Sequence, residues 1–466
     1  MNQKRISEFL IILLSICVFI LNSCRSDKTQ TYDSIKHAVD KIWLIDTHEH
    51  FPTEAGRQKS DINFFSLIIA YMYSDMVSSG MSSEDLAIML DNDSSLEERW
   101  NVFYPYWEKS KNTGYGQCVR ISVKGLFGID EINENTYKSI NEKMLEANET
   151  TGWYKHVLKD KSRIDLSIID PLGTYAHPDT NYTADFFVKV KRFDKYVRIS
   201  RSNITAIANL YGKEIYTLSD YLDALDNEFK NAVYNEGIVG IKSAQAFKGK
   251  LFFEDVPSDE AELLFSRLHK MSQTLDRDDQ RKLEDYMMHQ VVAHAEKYSL
   301  PIQIHTGILS RNFRANPIEN TNAIHLSNLF LKYRKAKFVI FHGNYPYMAE
   351  LSYLAKHFPN VYIDMCWMYI VSPSASKRYL EEWLFTVPAN KILGFGGDCS
   401  IEWAYGHSEM ARNTVTEVLT KMVNEGYYTL DEAIIIANRI LRINTLELFD
   451  IEKTGDHWRR RIAKSG

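Results

Sequence analysis

Short apolar runs recur along the chain, and each ends on a polar residue. They are "IWLID" over 42–46, "RIDLSIID" ending at Asp170, "GIVGIK" at Lys242, "LPIQIH" at His305, "KFVIFH" at His342, "VYIDM" at Met365 and "ILGFGGD" at Asp398, with a weaker candidate, "YVRIS", near residue 196. Runs without strict alternation fit strands buried on both faces, as in a parallel sheet. Between the later runs lie stretches such as "DYMMHQVVAHAEKY" and "YMAELSYLAKHF", whose apolar residues recur every three or four. That is the period of an amphipathic helix. Strands alternating with helices mean βαβ units, and eight of them predict an α/β fold, a closed (β/α)8 barrel.

Residues 60–160 break this rhythm. They are rich in helical pattern, aromatics and acids ("FFSLIIAYMYSDMV", "LEERWNVFYPYWEK"), and predict a helical insertion after the first strand, placed over the barrel mouth as a cap. The barrel body is expected over 36–455, with a basic tail at 456–466 that frays. No repeat or low-complexity tract interrupts it.

The N-terminus changes the picture. Lys4 and Arg5 precede "FLIILLSICVFIL" and then "NSC". This run is shorter than the roughly 20 residues that span a bilayer and reads as a secretory signal. Leu21-Asn22-Ser23 before Cys24 resembles the lipobox of bacterial lipoproteins, which implies that 1–24 is a signal peptide, that Cys24 is lipidated and that 25–35 is a tether. The expected location is the bacterial cell envelope, lipid-anchored and either periplasmic or on the outer surface. Beyond it only Cys118, Cys366 and Cys399 remain, too few for a disulfide framework.

A net charge of −6, with 25% charged residues and no block of one sign, argues against nucleic acid or an anionic membrane surface as the main partner. A small molecule is the natural substrate, and the lipid anchor the sole membrane contact expected. The 27 tyrosines suit sugar stacking but are explained as well by packing.

Candidate chemistry starts at "DTHEHF". An H-x-H pair is expected by chance about 0.4 times in a chain of this composition, so His48 and His50 carry little alone. Alternation along a strand, however, points both to one side. His48 and His50 lie just past the first run, and Lys242, His305, His342 and Asp398 close four others. Barrel active sites lie at the C-terminal strand ends, so all would ring one mouth. Imidazole and carboxylate are ligands for Zn²⁺ or a similar first-row ion. Singly, each histidine reads as well as a strand-end residue satisfied by backbone, and Asp398 as a helix cap; jointly they point to a metal. His294, His325 and His357 fall in or beside helices and read as packing or surface residues.

The set "DTHEH", His305, His342 and Asp398, with "VGIKSAQAF", "LPIQIHTGI", "FHGNYPYMAELSYLAKHFPNVYIDM" and "KILGFGGDCS", resembles the amidohydrolase superfamily. It is most similar to the amidohydrolase-related (family 2) branch that includes the nodulin-like domain fused to some glutamine synthetases. The likeness runs from about 40 to 450 and is weakest over 60–160; "DCSIEWAYGHSEMARN" is also similar to uronate isomerases. The resemblance implies that His48, His50 and His305 bind metal, with Asp398 as a further ligand or as the base beside its water, and His342 as an acid/base or polarising group. It implies one divalent ion, Zn²⁺ first and Mn²⁺ second. In some branches a strand-four lysine is carboxylated and bridges two metals; here Lys242 is expected instead to pair with a substrate carboxylate or oxyanion. Arg311 and Arg314, in "HTGILSRNFRANP", are candidate anion partners, Arg314 equally a solvated loop residue. The function expected is an exported metal-dependent hydrolase that cleaves an amide or lactone of a small polar, carbohydrate-derived or carboxylated substrate. The alternatives are a sugar-acid isomerase or decarboxylase, and an inactive solute-binding lipoprotein.

Overall fold

In the computed structural model the described residues are 29–461 apart from 70, 172–181, 271–274, 311–315 and 398–399. Eight parallel strands, β1 (Leu44–Glu49), β2 (Ile164–Ile169), β3 (Phe187–Arg192), β4 (Gly240–Ser243), β5 (Ile302–Ile304), β6 (Phe338–Ile340), β7 (Val361–Asp364) and β8 (Ile392–Leu393), pair in sequence order. The ring is drawn together where the amide of Thr47 donates to the carbonyl of Phe395 at 3.1 Å. This is the predicted barrel. Ile45, Ile168, Ile241, Ile302, Ile304, Phe338, Ile340, Ile363 and Leu393 are all buried, as the unbroken apolar runs require. Each such side chain contributes about 1.5–3 kcal/mol.

The third strand is not the expected "YVRIS". Phe187–Arg192, "FVKVKR", takes that place, and Asp194–Val197 is a short helix that buries Tyr196 and Val197. Lys191 sits on the strand because it reaches Glu228 at 2.8 Å and Glu236 at 2.6 Å. Those ion pairs let a lysine-alternating segment occupy a parallel barrel.

Between β1 and β2 the chain is helical, from Glu54–Gln58 through Leu96–Ser110, Gly114–Phe127 and Tyr137–Glu149. This part has its own core: Trp100 stacks on Tyr137 with centroids 4.3 Å apart, and Phe64 meets Phe103 at 5.7 Å. It is tied to the barrel by a buried ion pair. Arg57 donates to Glu402 at 2.5 Å, and the Trp153 indole donates to the same oxygen at 3.0 Å. Glu402 begins the long helix Ile401–Asn424, which packs against the insertion helix Gly114–Phe127.

Two boundaries differ from expectation. Residues 29–41 are helical, with Ile35 and Val39 fully buried, so the body begins inside the stretch expected as a tether. The tail also continues as structure: Ile451–Thr454 and His457–Arg460 pair antiparallel, and Trp458 is 5% exposed. Burial of that indole outweighs the charge around it. Among the described residues no helix is long and apolar enough to cross a membrane. The expected signal peptide and the lipobox Cys24 lie outside them.

Candidate active site

β1 carries His48 within the strand and His50 just past its end. Alternation brings their rings to 4.4 Å, edge to face. The β1 backbone is pinned from below, because buried Asp46 accepts the His48 amide at 3.1 Å and the Gly397 amide at 3.0 Å, and Ser167 Oγ donates to it at 2.9 Å. Gly397 lets the Glu49 carboxylate lie close against the backbone: a Cβ there would overlap it and oblige that side chain to move. Burial pushes Asp46 up to about 6 and Asp364, at the end of β7, up to about 7.

His50 Nδ1 lies 2.9 Å from the carbonyl of Asp170. A carbonyl only accepts, so Nδ1 carries a proton, and in the neutral form of the ring the lone pair lies on Nε2. Asp170, just past β2, is buried, and Arg192 at the end of β3 grips its carboxylate, Nε to Oδ2 at 2.8 Å and Nη2 to Oδ2 at 2.6 Å. Burial raises the Asp170 pKa, but the guanidinium outweighs it and the net value lies below the usual range.

Lys242, on β4 and 1% exposed, has its ammonium 3.1 Å from His48 Nε2 and 3.6 Å above the Phe341 ring. Burial, and then the Lys242 charge, hold His48 well below the ordinary histidine value, so it is neutral at pH 7.

His305 follows β5 and His342 follows β6. His342 and Asn344 have φ of 59° and 58°, a left-handed turn that swings the histidine inward. His342 Nδ1 donates to the Cys366 carbonyl at 3.1 Å, and His305 Nε2 donates to that of Ile308 at 2.9 Å. Burial holds both well below the usual range. In these neutral tautomers His305 Nδ1 and His342 Nε2 face each other at 3.1 Å, both as lone pairs. Such a gap suits a cation. Two nitrogens on one tetrahedral Zn²⁺ lie about 3.3 Å apart, given bonds of about 2.0–2.1 Å. The donor set therefore fits a divalent metal.

The strand-end reading thus places His48, His50, Lys242, His305 and His342 around one mouth. The grouping differs from expectation, however. Among the described residues the group of three potential ligands whose atoms all lie within 4.8 Å of one another is His48, His50 and Asp170, while His305 faces His342. Lys242 lies against His48. Asp398, Arg311 and Arg314 lie outside the described residues. Asp170 and Arg192 were absent from the expected set; "RIDLSIID" ends on an acid as the other runs end on a ligand, and that was the available signal. His294 bonds the Gln290 carbonyl in its own helix and His325 that of Glu319, so neither joins the mouth.

Residues 244–411 match the family model described as amidohydrolase. The chain fits the amidohydrolase superfamily. It is 27% identical over 234 residues to the protein fluG of Emericella nidulans, a match over 48% of this chain and 27% of that protein. It is 28% identical over 176 residues to a uronate isomerase of Caldicellulosiruptor bescii, over 34% of this chain and 37% of that enzyme. The match thus spans well under half the length of either curated relative. The glucuronate isomerase of Caulobacter crescentus superposes with a TM-score of 0.73 at 17% identity, covering 94% of this chain and 97% of that one. A Lactobacillus casei protein, provisionally designated a metal-dependent hydrolase, gives 0.62 at 20% identity over 89% and 97%. At these identities the likeness shows the shared fold. Family and fold together suggest an enzyme.

Proposed function

We propose that the chain is a metal-dependent hydrolase that cleaves a C–N or C–O bond, amide or lactone, of a small carboxylated molecule. One observation carries this reading: a single mouth sets neutral, tautomer-fixed histidine nitrogens beside two cations, Lys242 and Arg192. The nitrogens suit a metal and the cations suit an anion. A divalent ion held by His48 and His50, Zn²⁺ first and Mn²⁺ second, would supply Lewis acidity and bring the pKa of water from 15.7 toward about 7. His342 and His305, deprotonated at neutral pH, are able to accept a proton from the reacting centre, and Asp398 keeps the role of base. Lys242 counters negative charge that builds on the substrate.

A second reading is favoured by the uronate isomerase likeness in both sequence and fold. In it the same cations hold a sugar acid, and a histidine or Asp398 moves a proton between adjacent carbons. The two reactions differ in mass balance. The Zn²⁺- or Mn²⁺-loaded full chain is incubated with hexuronates, sugar-acid lactones and N-acyl amino acids. Hydrolysis adds one water to the reactant, whereas isomerisation leaves the mass unchanged and, in D2O, introduces carbon-bound deuterium. If the metal-loaded protein changes none of the panel, the catalytic reading falls. Lipid anchoring at Cys24 belongs to the same proposal and is supported by the N-terminal sequence.

A further inference from the structure

We propose that Asp170 is a ligand of the β1 metal site, binding a divalent cation through its carboxylate beside His48 and His50 while Arg192 holds that carboxylate in place. The proposal rests on the metal-site reading above and adds to it a residue from β2.

Three observations converge on it. His48, His50 and Asp170 each offer a ligand atom within 4.8 Å of the other two, near enough for small side-chain shifts to bring all three onto one ion with bonds of about 2.0–2.2 Å. Asp170 also fixes its neighbour: its main-chain carbonyl takes the Nδ1 proton of His50, which turns Nε2 into the ligating nitrogen. Last, His48 Nε2 accepts from Lys242 Nζ at 3.1 Å, which marks that nitrogen as a lone pair turned into the mouth.

Arg192 does not exclude the metal. Its contacts crowd onto Oδ2, with Oδ1 engaged only at 3.1 Å. An ionised carboxylate offers about four lone-pair sites, and a guanidinium fork uses two. Ligating carboxylates are commonly hydrogen-bonded in this way by a group behind them.

The test is metal affinity, read by competition with a fluorescent zinc chelator on the full chain in detergent, together with the visible spectrum of bound Co²⁺. The proteins are wild type, His48→Ala, Asp170→Asn, Asp170→Glu and Arg192→Met. Asp170→Asn should weaken Zn²⁺ binding at least tenfold and shift the Co²⁺ band, and Asp170→Glu should recover most of the affinity. Arg192→Met should alter affinity in the wild-type background and leave it unchanged in Asp170→Asn. Asp170→Asn binding within twofold of wild type, with an unchanged Co²⁺ band, overturns the proposal while the loss in His48→Ala keeps the metal site. Retention of metal by His48→Ala overturns the metal-site reading itself. Where Asp170→Asn binds weakly because it is misfolded, its bound fraction would keep the wild-type Co²⁺ band, and that outcome also counts against ligation.

Discussion

Replacing Asp364 by asparagine should make the protein relatively more stable as the pH rises. Asp364 is fully buried; its Oδ1 accepts from Thr47 Oγ1 at 2.9 Å and from the Cys366 amide at 2.8 Å, while its Oδ2 has no hydrogen-bond partner among the described residues. Burial lifts its pKa from 3.8 to about 7. The folded state thus holds this proton more tightly than the unfolded chain does. That contribution is fully present below about pH 4 and is lost as the pH climbs through 7. At about 1.4 kcal/mol per tenfold, the rise corresponds to about 4 kcal/mol. Asparagine keeps the shape and never ionises. The assay is denaturant unfolding of metal-free wild type and Asp364→Asn at intervals from pH 4.5 to 8, taking the difference at each pH so that other groups cancel. Over that range the difference should move by about 3 kcal/mol in favour of the variant. A difference independent of pH would show that Asp364 ionises as an ordinary carboxylate, and the reasoning from burial would be wrong.

Three further outcomes follow from the same contacts. Arg57→Met, by stranding the buried Glu402 carboxylate, should cost about 3–5 kcal/mol in thermal or chemical unfolding, and Arg57→Met/Glu402→Leu should recover part of that loss. The buried histidines act on stability in the opposite sense to Asp364: with His305 held well below 6.5, the unfolded chain takes up a proton that the folded one refuses, so wild type should lose stability relative to His305→Gln as the pH falls from 7 to 5. If Cys24 is the lipidation site, Cys24→Ser should move the protein from the detergent phase to the aqueous phase in Triton X-114 partition and abolish labelling by a fatty-acid analogue; labelling that persists would refute the anchor.

The barrel was readable because a parallel strand buried on both faces writes itself as an unbroken apolar run, and because barrel topology places the residue after each run at one mouth. "LPIQIH" and "KFVIFH" announce β5 and β6, and the histidines that close them reach the site. β3 escaped the same logic. Lys189 and Lys191 interrupt its apolar residues, and the partners of Lys191, Glu228 and Glu236, lie some forty residues further along the chain. Misplacing β3 also hid Arg192, the last residue of that strand. The hairpin at the C-terminus was masked in a similar way, its one buried indole, Trp458, surrounded by arginines.

The grouping of ligands was hidden for another reason. Residue identity says which side chains can hold a metal, but pairing follows from backbone groups that carry no sequence signature. The carbonyl of Asp170 sets the His50 tautomer, and the carbonyls of Cys366 and Ile308 set those of His342 and His305. Any residue at those positions would present the same oxygen. That the site separates into a β1–β2 cluster and a β5–β6 pair is therefore a property of strand register and of the left-handed turn at His342. Lys242 lies against His48 at one side of the first cluster, and Arg192 holds the Asp170 carboxylate at the other. The His48–His50–Asp170 cluster and the facing His305–His342 pair are thus two sets of nitrogen and oxygen donors set by the backbone rather than by residue identity.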